Sequence, residues 1–336
     1  MPRIGILIVT HNSAGHIDAC LEAVHRLRNP RDIVLVIDNG SDERVLVPQP
    51  ARFIQNEPNL GFAGAVNQGF RALKDDVDAV LLLNPDVILT TPLDPLTKEC
   101  MSAGLAGGRL TDASGNPQVG FSFRRFPTPL TLLAETIGLN RFWKSNPINR
   151  RYRCLDLDPA LAREVDQPAG AMLMIRKDVW LRLNGLDEQF HPVWFEDVDF
   201  CRRAAVEGFR ARYVPSVAGI HEGGHSVLQI PNRNRRRHWY ASLLRYSRKH
   251  FGRAGWGLVA GGVAVVAVAR ALGAVLRLRG GSLKEAAKDW MIARTALVYP
   301  NDVGTAGAAD VRSLVSNEGL PSNENTERTL KRLHAR

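Results

Sequence analysis

Residues 4–12 read IGILIVTHN, and this stretch decides the fold. Its first seven residues are apolar or β-branched without alternation, which is typical of a strand that is covered on both faces. Ser13 can then cap a helix that continues to about Leu27. A buried strand followed directly by an amphipathic helix is the beginning of an α/β fold.

The same unit recurs along the chain. The runs IVLVI at residues 33–37 and AVLLL at residues 79–83 predict two more buried strands, and residues 52–55 predict a short one. A glycine-rich turn at residues 59–64 leads into a helix that is predicted over residues 65–73. This alternation predicts an α/β fold whose central sheet is mostly parallel and carries helices on both faces.

The composition limits the class of protein. The 336 residues are 45% hydrophobic, which excludes a wholly disordered chain. Lys and Arg number 44 against 34 Asp and Glu, and this surplus suggests a polyanionic partner: a nucleotide, a nucleic acid or an anionic membrane surface. The four cysteines lie far apart without a CxxC pair, which argues against a zinc ribbon and against a disulfide scaffold. The amino-terminal apolar run is too short for a secretory signal, so the expected compartment is a reducing cytoplasm.

Polar residues gather where the predicted strands end. Thr10 and Asn12 follow the first strand, Asp38 follows the second, and the Asn-Pro-Asp sequence at residues 84–86 follows the fourth. In open α/β sheets, ligands bind in the crevice beyond the carboxyl ends of the strands. We therefore expect these residues to lie around one ligand site.

Each of these features has a functional and a structural interpretation. Asp86 suits a hard cation such as Mg²⁺ or Mn²⁺ that is shared with substrate phosphates, but residues 84–86 also suit a plain turn. Asp38 suits a base N–H or a ribose hydroxyl, and it suits an Asx-turn within residues 38–42 equally well. The turn at residues 59–64 can offer backbone N–H groups to a phosphate or serve only to connect a strand to a helix.

The sharpest feature is residues 195–203, FEDVDFCRR. It places Glu196, Asp197 and Asp199 at the start of a helix that is predicted over residues 196–208. Crowded like charges raise at least one pKa, as a general base requires, whereas acidic residues in a first helical turn also stabilise the helix dipole. The aromatic residues that precede the cluster favour a pocket over an ordinary helix end.

A histidine pair follows the last predicted strand of this region, residues 211–217. His221 and His225 flank two glycines, which argue against a helix that could present both rings to one metal ion. A single histidine that binds a metal or a phosphate and a surface histidine in a loop both remain open.

Beyond residue 231 the composition changes. Residues 232–253 hold seven Arg and one Lys interleaved with aromatic residues, and residues 255–276 are apolar apart from Arg270. This pattern favours a helix that lies in the surface of an anionic membrane; one short membrane span and a helix packed on the rest of the chain are the alternatives. Residues 301–336 are polar and are predicted to be disordered.

Seven ordered motifs resemble those of the inverting family 2 glycosyltransferases of fold type A, and more narrowly of their bacterial rhamnosyltransferase-like branch. The motifs extend over roughly residues 4–252 and read IVTHNS, VIDNGSD, NLGFAGAVNQG, LLLNPDV, PAGAMLMIRKDVW, GLDEQFHPVWFEDVDFCRR and VAGIHEGGHS. The resemblance implies a GT-A nucleotide-diphospho-sugar transferase fold with a C-terminal helical extension. The implied divisions are a catalytic domain at 1–230, with a nucleotide-sugar half at 1–106 and an acceptor half at 107–230, then a membrane-associating extension at 231–300 and a tail at 301–336.

The resemblance also assigns roles to residues that match the family's motifs. Asp197 matches the catalytic base, with Glu196 beside it, and His221 matches a residue near the metal and the diphosphate. Asn84 takes the first place of the family's DxD motif, so Asp86 is the expected ligand of a divalent cation, Mg²⁺ or Mn²⁺. The nucleotide-sugar positions are Thr10, Asn12, Asp38, Asn59, Gly61, Asn67 and Asn84, and the acceptor-side positions are Gly170, Ala171, Trp194 and Arg203.

The implied reaction is a single displacement with inversion, in which Asp197 deprotonates an acceptor hydroxyl that attacks the anomeric carbon of the donor. The branch implies dTDP-rhamnose as the donor, with UDP-sugars as the alternative. It implies a glycan or a polyprenyl-diphosphate-linked acceptor in cell-envelope glycan synthesis, at the cytoplasmic face of the cell membrane.

Two interpretations come from other classes of protein. The net charge suggests a nucleic-acid-binding protein, but the acidic cluster at residues 196–199 would lie badly against phosphates and no nucleic-acid partner is expected. The other is a non-catalytic, membrane-bound scaffold that keeps the sugar-nucleotide fold.

Overall fold

The computed structural model describes residues 2–43, 45–223 and 232–276. Within them the strands are β1 (Ile4–Thr10), β2 (Ile33–Asn39), β3 (Arg52–Asn56), β4 (Ala79–Leu83), β5 (Val87–Leu89), β6 (Gly104–Thr111), β7 (Phe123–Arg124), β8 (Arg163–Val165), β9 (Gln167–Pro168), β10 (Met172–Arg176) and β11 (Arg210–His221). The helices are α1 (Ala14–Leu27), α2 (Gly61–Leu73), α3 (Asp94–Ala103), α4 (Pro129–Thr136), α5 (Leu139–Phe142), α6 (Pro147–Tyr152), α7 (Lys177–Leu183), α8 (Glu196–Val206), α9 (Asn232–His250) and α10 (Arg253–Leu276). His225, the second part of the predicted extension and the predicted disordered tail lie outside the described residues.

A nine-stranded sheet organises the molecule. Its order is β3-β2-β1-β4-β10-β6-β11-β5, and β8 pairs with β11 beside this path. Strands β1, β2, β3 and β4 pair in parallel, and so do β6 and β11, whereas β10, β5 and β8 run antiparallel to their neighbours. The predicted α/β fold with a mostly parallel sheet is confirmed.

The core has one half on each face of the sheet. Ile6 and Ile8 of β1 pack with Leu21 of α1 on one face, while Leu7 packs with Phe70 of α2 on the other. Successive side chains of a strand point to opposite faces, so a strand buried on both must be apolar throughout. This requirement is why the unbroken run IGILIVT identified the central strand of the parallel half.

Two elements extend further than their sequences predict. Helix α2 begins at Gly61, four residues before the predicted start, because Gly61 adopts a left-handed φ of 75° and the chain enters the helix directly from the turn. Strand β11 continues to His221 instead of ending at residue 217. A register shift between Val214 and Ala218 interrupts its pairing with β6, and the strand then resumes. His221 therefore lies at a strand end, and not in a loop beyond it.

The helices α9 and α10 pack against α4 and the start of α8. Leu243 and Tyr246 of α9 are fully buried, and the rings of Tyr246 and Phe195 lie 5.3 Å apart. Val259 and Val263 of α10 belong to the same apolar cluster. Tyr240 and Tyr246 are therefore covered by the protein itself, whereas Trp239 of the same helix is half-buried.

Candidate active site

The ends of β1, β2 and β4 bring the predicted polar residues to one edge of the sheet. Thr10 lies opposite Asp38 in the β1–β2 ladder, and Ile8 lies opposite Leu83 in the β1–β4 ladder, one residue before Asn84. Strand β1 has β2 on one side and β4 on the other, so the connections that leave β1 and enter β4 run to opposite sides of β1. Such a point is where open α/β sheets leave a crevice for a ligand.

Asp38 builds a turn and keeps one oxygen available. Its Oδ1 accepts hydrogen bonds from the backbone N–H and the hydroxyl of Ser41. Its Oδ2 and the Oγ1 of Thr10 are buried and have no hydrogen-bond partner among the described residues. The turn predicted at Asp38 is confirmed, and its contact with a ligand stays a prediction; an unsatisfied buried oxygen is costly unless a ligand pairs with it.

Asn12 closes the loop beside this pair. Its backbone has a left-handed φ of 51°, and its N–H donates to Ser41 Oγ at 2.8 Å. Its side-chain amide exchanges two hydrogen bonds with Asp42, at 3.0 and 2.8 Å. Asn12 thus ties the β1 loop to the β2 loop and shapes the pocket from its backbone.

The turn before α2 connects this edge to the acidic helix. Asn59 Oδ1 accepts from the Gly61 N–H at 2.8 Å and from Asn39 Nδ2 at 3.0 Å. A Cβ added to Gly61 would lie 2.6 Å from His191 Cδ2, and Phe62 N–H donates to the Pro192 carbonyl at 2.8 Å. The start of α2 is therefore fixed against the segment that leads into α8.

The structure does not bring Asn67 and Arg203 to this site. Asn67 donates from Nδ2 to the Leu186 carbonyl and to Glu188, at 2.9 and 2.8 Å. Arg203 donates to Asp199 and to two backbone carbonyls of the α7–α8 connection. Both line a separate pocket of about 550 Å³. Their side chains stabilise the connection before α8, because they lie on the faces of α2 and α8 that turn away from the crevice.

A cleft of about 760 Å³ joins the predicted residues beyond the nucleotide edge, a volume that suits a small-molecule ligand. Its walls include residues from the ends of β4 and β11, from the β9–β10 connection and from the start of α8. The predicted residues that line it are Asn84, Asp86, Gly170, Ala171, Trp194, Glu196, Asp197 and His221. Asp86 and Asp197 thus share one cavity, while Asp38 lies two strands away at the same sheet edge.

Asp197 is held at the bottom of this cleft by backbone groups. Its Oδ2 accepts from the Gly170 N–H at 3.1 Å, and its Oδ1 accepts from the Val198 N–H at 2.8 Å. Burial raises the pKa of Asp197, although these two hydrogen bonds and the charge of Arg124 oppose the rise. A carboxylate with a raised pKa and a fixed position is suited to accept a proton.

Glu196 lies beside Asp197 and differs from it in its surroundings. The residue is 5% exposed, and its Oε2 has no hydrogen-bond partner in the described part of the chain. Burial, and after it the charge of Asp197, raise the pKa of Glu196 well above its ordinary value. The two neighbouring carboxyls therefore favour sharing one negative charge.

The backbone before α8 is strained. Trp194 and Phe195 adopt left-handed φ values of 82° and 71°, which bulky side chains rarely do. Trp194 lines the cleft, and the Phe195 ring packs on Tyr246 of α9. Strain of this kind persists where surrounding contacts fix it, and here it directs Trp194 and the α8 carboxyls into one cavity.

Asp86 and His221 are buried neighbours in the wall of the cleft. Asp86 Oδ1 lies 3.7 Å from His221 Nε2 and has no hydrogen-bond partner within the described residues. Gln118 donates from Nε2 to the His221 carbonyl at 2.6 Å, which leaves Gln118 Oε1 to accept from His221 Nδ1 at 3.0 Å. Gln118 thereby orients the ring with the Nε2 lone pair toward Asp86, as the outer partner of a metal-binding histidine does.

These two donors fit a divalent cation only in part. Among residues 2–43, 45–223 and 232–276, no group of three or more His, Cys, Asp or Glu side chains is placed to hold a metal ion. A carboxylate oxygen and an imidazole nitrogen can be two ligands of Mg²⁺ or Mn²⁺, and substrate phosphates can complete such a site.

Several cleft residues were not predicted from the sequence. Gln118 and the Phe121 ring, which stacks on His221 at 4.9 Å, come from the irregular region between β6 and β10. Arg124 lies over the rings of Phe121 and Tyr152 at 5.6 and 5.8 Å, and it lines the cleft with Arg153. The surplus of arginine in this region was the available signal, but spacing alone does not show which of them point inward.

Two family models match the chain. The model described as Glycosyl transferase family 2 matches residues 5–98, and the model described as Glycosyl transferase family group 2 matches residues 161–298. The chain is a family 2 glycosyltransferase. The first match covers the parallel strands and the Asp86 turn, and the second covers Gly170, the acidic helix α8 and the strand that ends at His221.

This glycosyltransferase is similar to a curated rhamnosyltransferase and to solved transferases. It is 25% identical to Rhamnosyltransferase WbbL of Escherichia coli K12 over 259 residues, which are 73% of this chain and 92% of that protein. The structure of GalNAc-T7 with UDP, GalNAc and Mn²⁺ matches with a TM-score of 0.56 at 14% identity, over 88% of this chain and 55% of that one. This likeness confirms the GT-A type fold. A mannosyltransferase from Pyrobaculum calidifontis in complex with GDP-Man and Mn²⁺ matches with a TM-score of 0.46 at 16% identity, over 88% of this chain and 87% of that one.

Proposed function

We propose that this glycosyltransferase moves L-rhamnose from dTDP-rhamnose to a lipid-linked or polysaccharide acceptor, with inversion, in cell-envelope glycan synthesis. The observation that carries the proposal is the single cleft in which Asp197, held by two backbone N–H groups, faces the Asn84–Asp86 turn. The similarity to a rhamnosyltransferase over most of that protein's length supports the choice of sugar.

The nucleotide occupies the edge formed by β1, β2 and the start of α2. The buried oxygens of Thr10 and Asp38 supply acceptors for a base N–H or a ribose hydroxyl. Asn12, Asn59 and Gly61 hold the loops around them through the backbone contacts described above. Asn84 follows β4 and lines the cleft, where it contacts the part of the donor that extends from the nucleotide edge.

Transfer takes place in one displacement at the anomeric carbon. The acceptor O–H gives its proton to the Asp197 carboxylate while its oxygen forms a bond to the anomeric carbon. The bond from that carbon to the phosphate oxygen breaks, and the nucleoside diphosphate leaves with the electron pair. Attack from the side opposite the leaving group inverts the configuration. Glu196 in its neutral form leaves the single charge of the pair on Asp197.

Asp86 and His221 would hold a divalent cation, with the donor's phosphates as further ligands. When bound, such a cation counters the charge that develops on the leaving diphosphate. The chain's own contribution is to present the Asp86 oxygen and, through Gln118, the oriented His221 ring.

The acceptor side of the cleft combines apolar residues beside Asp197 with two arginines. Gly170 and Ala171 form the floor and Trp194 a side, which suits stacking on a sugar ring. Arg124 and Arg153 line the cleft together with Glu135, which pairs with Arg153 at 3.2 Å. The net positive charge of this group suits an acceptor that carries phosphate, such as a polyprenyl-diphosphate-linked glycan. We place the enzyme at the cytoplasmic face of the cell membrane, where such an acceptor is presented.

The donor is tested with a panel of nucleotide sugars. Thermal stabilisation and donor hydrolysis are measured with dTDP-rhamnose, UDP-glucose, UDP-GlcNAc and GDP-mannose, each with Mn²⁺ and with EDTA. Stabilisation confined to dTDP-rhamnose supports the proposal, and stabilisation by a UDP-sugar instead selects the alternative donor. Asp38→Asn should remove the stabilisation, and Glu43→Gln, an exposed carboxyl on the same loop, serves as its control.

A second variant tests the alternative that the protein is a non-catalytic scaffold. Asp197→Asn should keep donor stabilisation and lose transfer, because it removes the proton acceptor and leaves the nucleotide edge intact. Equal product formation by Asp197→Asn and the native chain would show that the fold does not act through this carboxylate.

A further inference from the structure

The face of α4 and α5 that turns away from the cleft exposes large apolar side chains. Leu130 on α4 is 56% exposed and Ile137 at its end is 47% exposed. Phe142 and Trp143, which end α5, are 90% and 54% exposed. The two helices contact each other, and exposed apolar side chains gathered on neighbouring elements indicate a contact surface.

Helix α10 carries a second stripe of the same kind. Leu258, Val265 and Leu272 are 42%, 68% and 59% exposed, and their spacing of seven residues, nearly two helical turns, places them on one side of the helix. Val259 and Val263 on the other side are fully buried against the catalytic part of the chain. The helix is therefore anchored by one face and apolar on the opposite one.

The two stripes belong to one packed unit. A Cβ added to Gly262 of α10 would lie 2.4 Å from Leu133 Cδ1 of α4, and one added to Gly255 would lie 2.9 Å from Pro129 Cγ. Glycine at these two positions lets the helix axes approach closely. We call the exposed residues of this unit the apolar face: Leu130, Ile137, Phe142, Trp143, Leu258, Val265 and Leu272.

Cations border the apolar face, and acidic residues are almost absent from it. Arg141 and Lys144 flank the exposed aromatic pair, and Arg150 and Arg151 follow on α6; all four are exposed. Between residues 129 and 151 the sequence has one acidic residue, Glu135, which pairs with Arg153 at 3.2 Å, and α10 has none. A surface with exposed apolar side chains and neighbouring cations complements the headgroups and upper acyl chains of an anionic bilayer.

We propose that the apolar face docks on an anionic membrane leaflet, with α10 lying in the plane of the membrane. By length and composition the described segment Arg253–Arg270 could cross a bilayer. Spanning would expose to lipid the buried stripe that packs on the core with Leu132 and Phe195, so the contacts favour the surface orientation. The occupant is a lipid surface, because the charges complement phosphate headgroups and would repel a second copy of the same face.

The docked orientation specifies the class of acceptor. Leu132 and Glu135 of α4, and Tyr152 and Arg153 at the end of α6, line the cleft from the other side of the same elements. Docking therefore brings the acceptor wall close to the headgroups. This step rests on the proposed function: the acceptor is a lipid whose phosphate reaches Arg124 and Arg153 from the membrane surface.

Vesicle sedimentation tests the docking. The full chain is mixed with vesicles of phosphatidylcholine alone or with phosphatidylglycerol, and the bound fraction gives a partition coefficient. Phe142→Ser with Trp143→Ser should lower partition into anionic vesicles about tenfold or more, and Leu258→Ser with Val265→Ser should do the same. Leu46→Ser with Val206→Ser is the matched control, since both residues are 82% exposed and lie outside the apolar face.

Charge is tested separately. Arg141→Glu with Lys144→Glu should lower binding to anionic vesicles and reduce its salt dependence, whereas Arg26→Glu with Lys98→Glu, exposed cations elsewhere, should leave it unchanged. Fluorescence of the native chain minus that of Trp143→Phe should shift to the blue on anionic vesicles only. Equal binding by the apolar-face variants and their control overturns the proposal, as does a dimer that dissociates in the same variants.

Donor stabilisation is measured in every variant. If vesicle binding fails while dTDP-rhamnose still stabilises the chain, the docking is wrong and the proposed function stands. If vesicle binding behaves as expected while no nucleotide sugar binds, the proposed function is wrong and the docking stands.

Discussion

Gly170→Ala tests whether the position of Asp197, as distinct from its presence, sets the rate of transfer. The added Cβ would lie 2.9 Å from Asp197 Oδ2, 3.1 Å from its Cβ and 3.3 Å from its Cγ. Non-bonded carbon contacts are favourable at about 3.5–4.0 Å, so the carboxylate must withdraw by roughly 0.5 Å. The φ of Gly170 lies outside the left-handed region, so the backbone itself accepts alanine.

The expected loss follows from that displacement. A misplacement of about 1 Å at a reacting group can cost about 100-fold, so half of it should lower kcat by about tenfold or more. The donor binds at the other end of the site, so its KM and its thermal stabilisation should stay within about twofold. The hydrogen bond from the Gly170 N–H lowers the pKa of Asp197. The withdrawal weakens this hydrogen bond and so raises that pKa. The acid limb of the pH–rate profile should therefore move to higher pH.

Steady-state release of nucleoside diphosphate measures kcat and KM across pH. Gly257→Ala is the matched control, because a Cβ there meets no atom within 4 Å. Combining Gly170→Ala with Asp197→Asn gives a double-mutant cycle, and the alanine should have little further effect when the carboxylate is gone. A native kcat in Gly170→Ala, or an equal loss in the Asp197→Asn background, would refute the role given to this contact.

Three further predictions follow from single contacts. Glu196→Gln should keep kcat within about tenfold of the native value, because the raised pKa of Glu196 already favours its neutral form. Asp197→Asn should lower kcat about 10²–10⁴-fold and remove the acid limb of the pH–rate profile. A larger loss in Glu196→Gln than in Asp197→Asn would exchange the roles of the two residues. Gln118→Ala should weaken Mn²⁺ binding about 10–100-fold in a calorimetric titration, since it releases the ring of His221, and unchanged affinity would contradict this. Burial would raise the pKa of Asp199, but hydrogen bonds and neighbouring cations lower it from 3.8 to about 2. The charged form therefore stabilises the folded chain, and protonation removes this contribution. The native chain should lose about 2 kcal/mol of unfolding free energy as the pH falls from about 4 to 2. Denaturant midpoints against pH should show no such loss in Asp199→Asn.

The sheet was predictable because a strand that is buried on both faces must be apolar throughout, and such a run is visible in the sequence. The strands Ile4–Thr10 and Ala79–Leu83 have the predicted bounds. Where tertiary contacts set the limits, the pattern failed: β11 resumes after its register shift because β5 and β6 pair with its second half. Such pairing is a property of distant strands and leaves no local periodicity.

The candidate site was predictable at the strand ends and unpredictable between β6 and β10. Asp38, Asp86 and Asp197 each lie next to the start or end of an element, so topology brings them to one edge. Gln118 lies in an irregular segment and Arg124 in the two-residue strand β7, and the path of both depends on packing. Asn67 fits the motif yet binds the Leu186 backbone, which shows that a motif residue can serve the shape of a site without reaching the ligand.

The three carboxylates of α8 are close in sequence but have different environments in the fold. Asp199 lies two residues beyond Asp197, about 200° around the helix, so the two side chains face opposite environments. Asp199 meets Arg203, Lys249 and His250 at 2.7–2.8 Å, which lower its pKa to about 2 and tie α8 to α9. Asp197 faces the cleft, where burial raises its pKa. The sequence shows one set of crowded charges, but helical periodicity makes Asp199 the centre of an ion-pair cluster and leaves Glu196 and Asp197 buried at the cleft with raised pKa values.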